Sequence, residues 1–218
     1  MRALLFDFDG LILDTETPVY ESWREVYEAH GEELPISQYA ECVGSTHARF
    51  DPATELEHRL GRALNWAAIT PERRARSLAL VHQQSTLPGV ADLLAEARAE
   101  GIPCAVASSS PPDWVRPLLD RLGLSGFFRA VCCLGEAAHR AKPEPDLFLA
   151  AAAQLNIDPR DALVLEDSHN GLRAAQAAGA PCVIVPNSIT QHYAFHGAAA
   201  VLKSMPARAE LAAIWGRL

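Results

Sequence analysis

The sequence predicts an α/β protein, a doubly wound parallel sheet with a smaller α-helical domain inserted after the first strand. Three observations predict it. Five short apolar runs are continuous rather than alternating, which calls for cover on both faces of a sheet. Stretches between several of them carry apolar residues at helical spacing. One long interval, from Asp14 to about Pro88, has helical patterns and no buried strand.

The first run, "ALLFDF" (3–8), reads as a buried strand and ends among the carboxylates of Asp7 and Asp9. Gly10 suits the tight turn that follows, because glycine adopts positive φ without steric cost. Helical patterns then fall at about 17–30, 35–43, 51–64 and 71–85; the first carries Val19, Trp23, Val26 and Tyr27 on one stripe and a stop at Gly31. These set the expected boundaries: a core formed by 1–15 and 86–218, and a helical insert formed by 16–85. "PGVADLLAEARAEG" returns the chain as a helix, with Val90, Leu93, Leu94 and Ala97 facing the core and Gly101 ending it.

"IPCAVAS" (102–108) is the second strand, and Ser110 before "PPDW" is placed to cap the next helix. "RAVCCL" (129–134) and "ALVLED" (162–167) are the third and fourth strands, separated by the helix expected in "KPEPDLFLAAAAQLN". Ser168 caps the helix of "SHNGLRAAQAAGA", "PCVIVP" (181–186) is the fifth strand, and "PARAELAAIWGRL" closes as a helix.

Composition narrows the function classes. Of 218 residues, 49% are hydrophobic and 21% charged, the balance of a chain that buries a core. A formal charge of −8 argues against broad binding to nucleic acid or anionic membrane, which draws on excess Lys and Arg. No apolar run approaches the ~18 residues of a membrane span, and "MRALLF" meets Asp7 too soon for a signal-peptide core, so a cytoplasmic location is expected. The five cysteines are odd in number, lack CxxC spacing and sit mostly in apolar runs, as reduced, buried thiols do. Oligomeric state leaves no mark on the sequence.

In an open α/β sheet, ligands lie beyond the carboxyl ends of the strands. There the chain places Asp7 and Asp9 after strand one, Ser108, Ser109 and Ser110 after strand two, Lys142 after strand three, and Glu166 with Asp167 after strand four. Two acids flanking Phe8 could by themselves form a solvated turn. Four carboxylates converging with one lysine and a hydroxyl cluster point instead to a hard cation such as Mg²⁺ beside a phosphate group. A carboxylate nucleophile with a second carboxylate as proton shuttle would split phosphate-ester cleavage into two steps.

These motifs resemble the haloacid dehalogenase superfamily, in the branch with a helical cap after the first motif. "DFDGLILDTE", "ASSS", "KPEPDLF" and "LEDSHNGLRAAQAAG" are similar to its four motifs, in order and over essentially the whole chain. The resemblance implies a Rossmann-like core, Asp7 as nucleophile, Asp9 as general acid and base, and Lys142 offsetting charge on Asp7 and the phosphate. It implies Mg²⁺ held by Asp7, the backbone carbonyl of Asp9, Asp167 and Glu166, and phosphate contacts from Ser108 and Ser109, with Thr15 at the hinge into the cap. The expected activity is a Mg²⁺-dependent phosphatase for a small phosphorylated metabolite, such as a sugar phosphate, acting through an aspartyl-phosphate. An aspartate two residues after the nucleophile favours phosphate esters over the dehalogenase chemistry of the same superfamily.

A β-phosphoglucomutase-like mutase is the alternative within the resemblance. Such mutases carry a cap histidine where this chain has Val19, and a cap arginine where it has His47, with Arg49 two residues on. His47 and Arg49 are the candidate substrate contacts from the cap. A binding or regulatory protein without turnover is the alternative from another class.

Overall fold

The computed structural model describes residues 1–42 and 50–218. A parallel six-stranded sheet forms the centre: β1 (Ala3–Phe6), β2 (Cys104–Ser108), β3 (Phe128–Cys133), β4 (Ala162–Glu166), β5 (Cys182–Ile184) and β6 (Ala200–Val201). Their spatial order is β3-β2-β1-β4-β5-β6, with every neighbouring pair parallel. The order reverses at β1, so the switch point falls where β1 delivers Asp7.

The predicted strands are present; four are shorter than their apolar runs, and β3 keeps six residues but begins one earlier, at Phe128. β1 stops at Phe6 because the next residues turn: the Phe8 carbonyl accepts from Ile12 N at 3.0 Å, and Gly10 takes φ +79°. The two-residue β6 carries too little apolar sequence to announce itself.

Between β1 and β2 lie α1 (Glu16–Ala29), α2 (Ile36–Ala40), α3 (Pro52–Leu60), α4 (Trp66–Gln83) and α5 (Val90–Ala99). The outgoing and returning chains run side by side, with Leu13 bridged antiparallel to Thr86 and Leu87 N donating to the Ile12 carbonyl at 2.9 Å. Asp51 caps α3 through Ala53 N and Thr54 N, and Gly61 ends it at φ +63°. Helix α4 begins five residues before the expected start. Pro71 looks like a first-turn proline, yet it lies inside the helix near its beginning, where the lost N–H costs a single bond to the first turn.

After β2 come α6 (Pro112–Arg121), α7 (Asp146–Gln154) before β4, α8 (His169–Ala178) before β5, and α9 (Arg208–Trp215) at the end. Two apolar clusters pack on opposite faces of the sheet, one with Leu4, Phe6, Val106 and Leu163, the other with Leu5, Ala105, Val164 and Phe148. Alternate residues of the same strands feed opposite layers, which is why the runs are apolar throughout. A third cluster, with Tyr20, Tyr27, Tyr39 and Leu56, fills the helical insert, and Ile189 from the segment after β5 enters it. The cysteines are free, all but Cys42 are buried, and burial pushes Cys104 up to about 12 and Cys133 up to about 11, away from thiolate chemistry. No helix among the described residues is long and apolar enough to cross a membrane.

Candidate functional site

A cleft of about 340 Å³ opens beyond the carboxyl ends of β1, β2 and β4, with Asp7, Asp9, Lys142 and Asp167 on its floor and Thr15 and Val19 on the side of the insert. Asp7 is fixed by its position: its N–H donates to the Leu165 carbonyl at 3.0 Å, continuing the β1–β4 ladder past the end of the strand. Lys142 enters after β3 and is 7% exposed; its ammonium bonds Asp7 Oδ1 and, at 2.7 Å, Glu166 Oε1. The backbone N–H of Lys142 donates to Ser109 Oγ at 3.1 Å, and the ammonium stands 4.7 Å from the centre of the Phe148 ring.

Glu166 is fully buried. Beyond Lys142, its Oε2 accepts from Asp167 N and Ser168 N, both at 3.0 Å, and from Ser168 Oγ at 2.9 Å. Ser168 Oγ in turn accepts from Gly171 N at 3.1 Å, the cap expected for α8. The fit is tight: a Cβ on Gly171 would lie 1.7 Å from the Glu166 carboxyl carbon. Asp167 is held from a direction absent from the strand-end set, since Asn187 Nδ2 donates to its Oδ2 at 2.6 Å. Asn170 lines the cleft, but the amide orienting a site carboxylate is that of Asn187.

Asp7, Glu166 and Asp167 offer oxygens within 4.8 Å of one another. Fully ionised, these three acids would exceed the one ammonium among them by two negative charges in a buried place. Burial, reinforced by Glu166 and Asp9 and opposed by Lys142, pushes Asp7 up to about 8; burial with Glu166 and Asp7 drives Asp167 well above the usual carboxylate range. Burial alone would lower Lys142, but the Asp7 and Glu166 carboxylates overcome it and hold the ammonium charged. Such an unbalanced oxygen set fits a hard divalent cation. Asp7 and Asp167 keep free oxygen edges for one, whereas both oxygens of Glu166 are already engaged.

Asp9 faces the β2–α6 segment. Ser110 Oγ donates to its Oδ2 at 2.7 Å, Ser108 Oγ lies 3.3 Å from the same oxygen, and Trp114 Nε1 donates to Oδ1 at 2.9 Å. This corrects the expectation that Ser110 caps α6. The helix starts at Pro112, with Pro111 as its N-cap residue and no side-chain cap, because Pro112 has no N–H for a capping hydroxyl to accept and a carboxylate is the stronger acceptor. Ser108 is fully buried with its hydroxyl toward Asp9 and Ser110 N, while Ser109 and Ser110 line the cleft.

Thr15 is 4% exposed at the start of α1 and makes no capping bond; Asp14 Oδ1 accepts from Thr17 N at 2.9 Å instead. Glu16 also lines the cleft, where burial with Asp9 and Asp14 nearby pushes it up to about 7. His47 and Arg49 lie outside the described residues.

Asn187, Trp114 and Glu16 are the site residues absent from the strand-end reading. Carrying that rule on to the fifth strand points to Asn187, three residues past Ile184. Trp114 has no such signal, because its partner is 105 residues away.

Comparison with known proteins agrees on the family. Residues 1–179 match the family model of haloacid dehalogenase-like hydrolases. YhcW of Bacillus subtilis, a phosphatase by name, is 40% identical over 218 residues, covering 100% of this chain and 98% of YhcW. The fructose-1-phosphate phosphatase YqaB of Escherichia coli is 33% identical over 187 residues, 84% of this chain and 95% of YqaB. Among solved structures, CbbY of Rhodobacter sphaeroides in complex with phosphate superposes with a TM-score of 0.70 at 32% identity, covering 94% of each chain.

Proposed function

The chain belongs to the haloacid dehalogenase-like hydrolases, and from that premise we propose that it is a Mg²⁺-dependent phosphatase of a small phosphorylated metabolite, in the sugar-phosphate class, working through an aspartyl-phosphate on Asp7. A hydrolase acting on phosphate esters follows from the family and its phosphatase relatives. One observation carries the finer reading: Asp7 with Asp9, Lys142 and Asp167, from three separate places in the sequence, share the floor of one cleft at the switch point of the sheet.

In this reading Asp7 Oδ2, the oxygen that Lys142 leaves free, attacks phosphorus in line with the ester oxygen. Lys142 holds Asp7 aimed at the cleft and offsets the charge that gathers on the phosphoryl oxygens. Asp9 gives its proton to the departing alkoxide, then takes one from the water that attacks the acyl phosphate and restores Asp7. Ser109 and Ser110 line the phosphate side, with Ser108 supporting Asp9 from behind. Asp7, Asp167 and the Asp9 carbonyl would hold Mg²⁺, with Glu166 bracing Lys142 beside them; the ion would supply positive charge to offset that of the phosphoryl group.

The insert of residues 16–85 acts as the cap over a core of 1–15 and 86–218, with Thr15 at the outgoing crossing. A cleft of about 340 Å³ suits a small metabolite. Val19 on its wall, in place of a mutase histidine, supports hydrolysis over transfer.

Phosphate release across a panel of phosphorylated metabolites, with and without Mg²⁺, tests the proposal. With β-glucose 1-phosphate, free phosphate supports the hydrolase and glucose 6-phosphate would establish a mutase. Failure on every member, including a simple aryl phosphate, would leave a binding protein.

A further inference from the structure

We propose that Trp114 is a positioning residue for the proton transfer, holding the Asp9 carboxylate through its indole N–H. The proposal rests on the reading of Asp9 as general acid and base. The indole donates to Oδ1 at 2.9 Å and the Ser110 hydroxyl to Oδ2 at 2.7 Å. Each oxygen is thus gripped by a separate residue of the β2–α6 segment, while Asp9 itself belongs to the turn after β1. A carboxylate held at one oxygen can swing about its Cβ–Cγ bond. Held at both, it turns only by breaking a charge-assisted hydrogen bond.

The chemistry of the two partners differs. An indole N–H only donates, whereas a hydroxyl can donate or accept. Trp114 therefore reserves Oδ1 as the unprotonated oxygen, and Oδ2, whose hydroxyl partners can turn, carries the transferable proton. In the first step the Oδ2–H bond breaks as the ester oxygen takes the proton and leaves phosphorus, while the Asp7 O–P bond forms. In the second, Oδ2 takes a proton from water as the water oxygen bonds phosphorus and the Asp7 O–P bond breaks. Throughout, the grip from α6 keeps Asp9 in one orientation. Trp114 is partly buried against the Phe6 cluster, so its ring is anchored independently of the hydrogen bond.

Trp114→Phe keeps the ring and removes the donor. Alkyl phosphates need the proton, because an alkoxide leaves poorly; p-nitrophenyl phosphate needs it little. First-turnover release from an alkyl phosphate is expected to fall about tenfold or more in Trp114→Phe, within the ~10²–10⁴ range of general acid catalysis, and p-nitrophenolate release far less. KM is expected to stay within about twofold of wild type. Equal losses on both substrates, or no loss on either, would overturn the proposal. Asp9→Asn separates it from its premise: normal alkyl turnover in that variant sinks the general-acid reading itself, whereas a slow Asp9→Asn beside an unaffected Trp114→Phe sinks the role of Trp114 alone. Exchange of the Trp114 indole proton with solvent provides a check in a protein with the indole intact. It should quicken about tenfold in Asp9→Ala, and unchanged exchange there counts against the bond.

Discussion

As the proposed nucleophile, Asp7 stands where two demands meet: that role requires it ionised, and it is buried where ionisation is costly. Asp7→Asn retains the shape and the contact with Lys142 but removes the nucleophile, so turnover is expected to fall by about 10³-fold or more with an unchanged circular dichroism spectrum. Retained Mg²⁺-dependent turnover would refute the assignment. The same crowding predicts a pH dependence. Burial raises the Asp7 carboxyl from 3.8 to about 8 in the folded, metal-free protein, and Asp167 rises with it. The folded state then keeps protons that the unfolded chain releases. Their contribution to stability is full below about pH 4 and is lost as pH rises through about 8. A divalent cation replaces those protons, so the rise in Tm on adding Mg²⁺ should be larger at about pH 8 than at about pH 5. Equal rises at the two pH values would contradict the placement of the cation among these acids. Asp7, Asp9, Glu166 and Asp167 were legible because carboxylates at the ends of apolar runs are conspicuous, and Lys142 because a lone lysine follows the third run in the "KPEPDLF" motif. Asn187 and Trp114 were not, because an amide or an indole reveals its purpose only once folding brings a carboxylate to it.

At the scale of elements, the sheet was legible because burial on both faces removes polar residues from strands, and the strand ends were not, because turns set them. The two-residue β6 and the early start of α4 follow from causes outside local pattern: pairing with β5 in one case and a tolerated internal proline in the other. The β4–α8 junction shows how tightly an element can be tied to chemistry. Glu166 ends the strand, Ser168 caps the helix, and Gly171 in the first turn of that helix leaves the space that the Glu166 carboxylate fills. Gly171→Ala places a methyl group where that carboxylate is, and Glu166 is fully buried among backbone donors with no free direction in which to yield. The substitution is expected to cost about 1–3 kcal/mol by denaturant titration, as overpacking does, and to reduce kcat more than tenfold by displacing Lys142. Normal stability and rate would mean that Glu166 has another place to go.

Across the whole molecule, the insert is joined to the sheet by more than its two chain crossings. The segment after β5 carries Asn187, bonded to Asp167 and to the Gly10 carbonyl, then Ile189, fully buried among the aromatic residues of the insert, and then Tyr193, whose hydroxyl donates to the Ala40 carbonyl at the end of α2. Seven residues, Asn187 to Tyr193, thus run from the partner of the Asp167 carboxylate to the core of the insert. The Asn187 side chain stiffens the run, its Oδ1 accepting from Ile189 N at 2.9 Å and Thr190 N at 3.0 Å. An isoleucine buried at such a junction stabilises the docking of the insert more than the folding of the sheet, because the sheet has its own two apolar layers. Ile189→Ala is therefore expected to cost about 2–5 kcal/mol of that docking, the usual range for truncating a buried aliphatic side chain. In hydrogen exchange the amides of α1 and α3 should lose protection while those of β1 and β4 keep theirs, since local opening is set by the contacts that hold each unit. Loss of protection spread evenly over sheet and insert would show instead that Ile189 serves the fold as a whole, and that the segment after β5 is no separate tie between them.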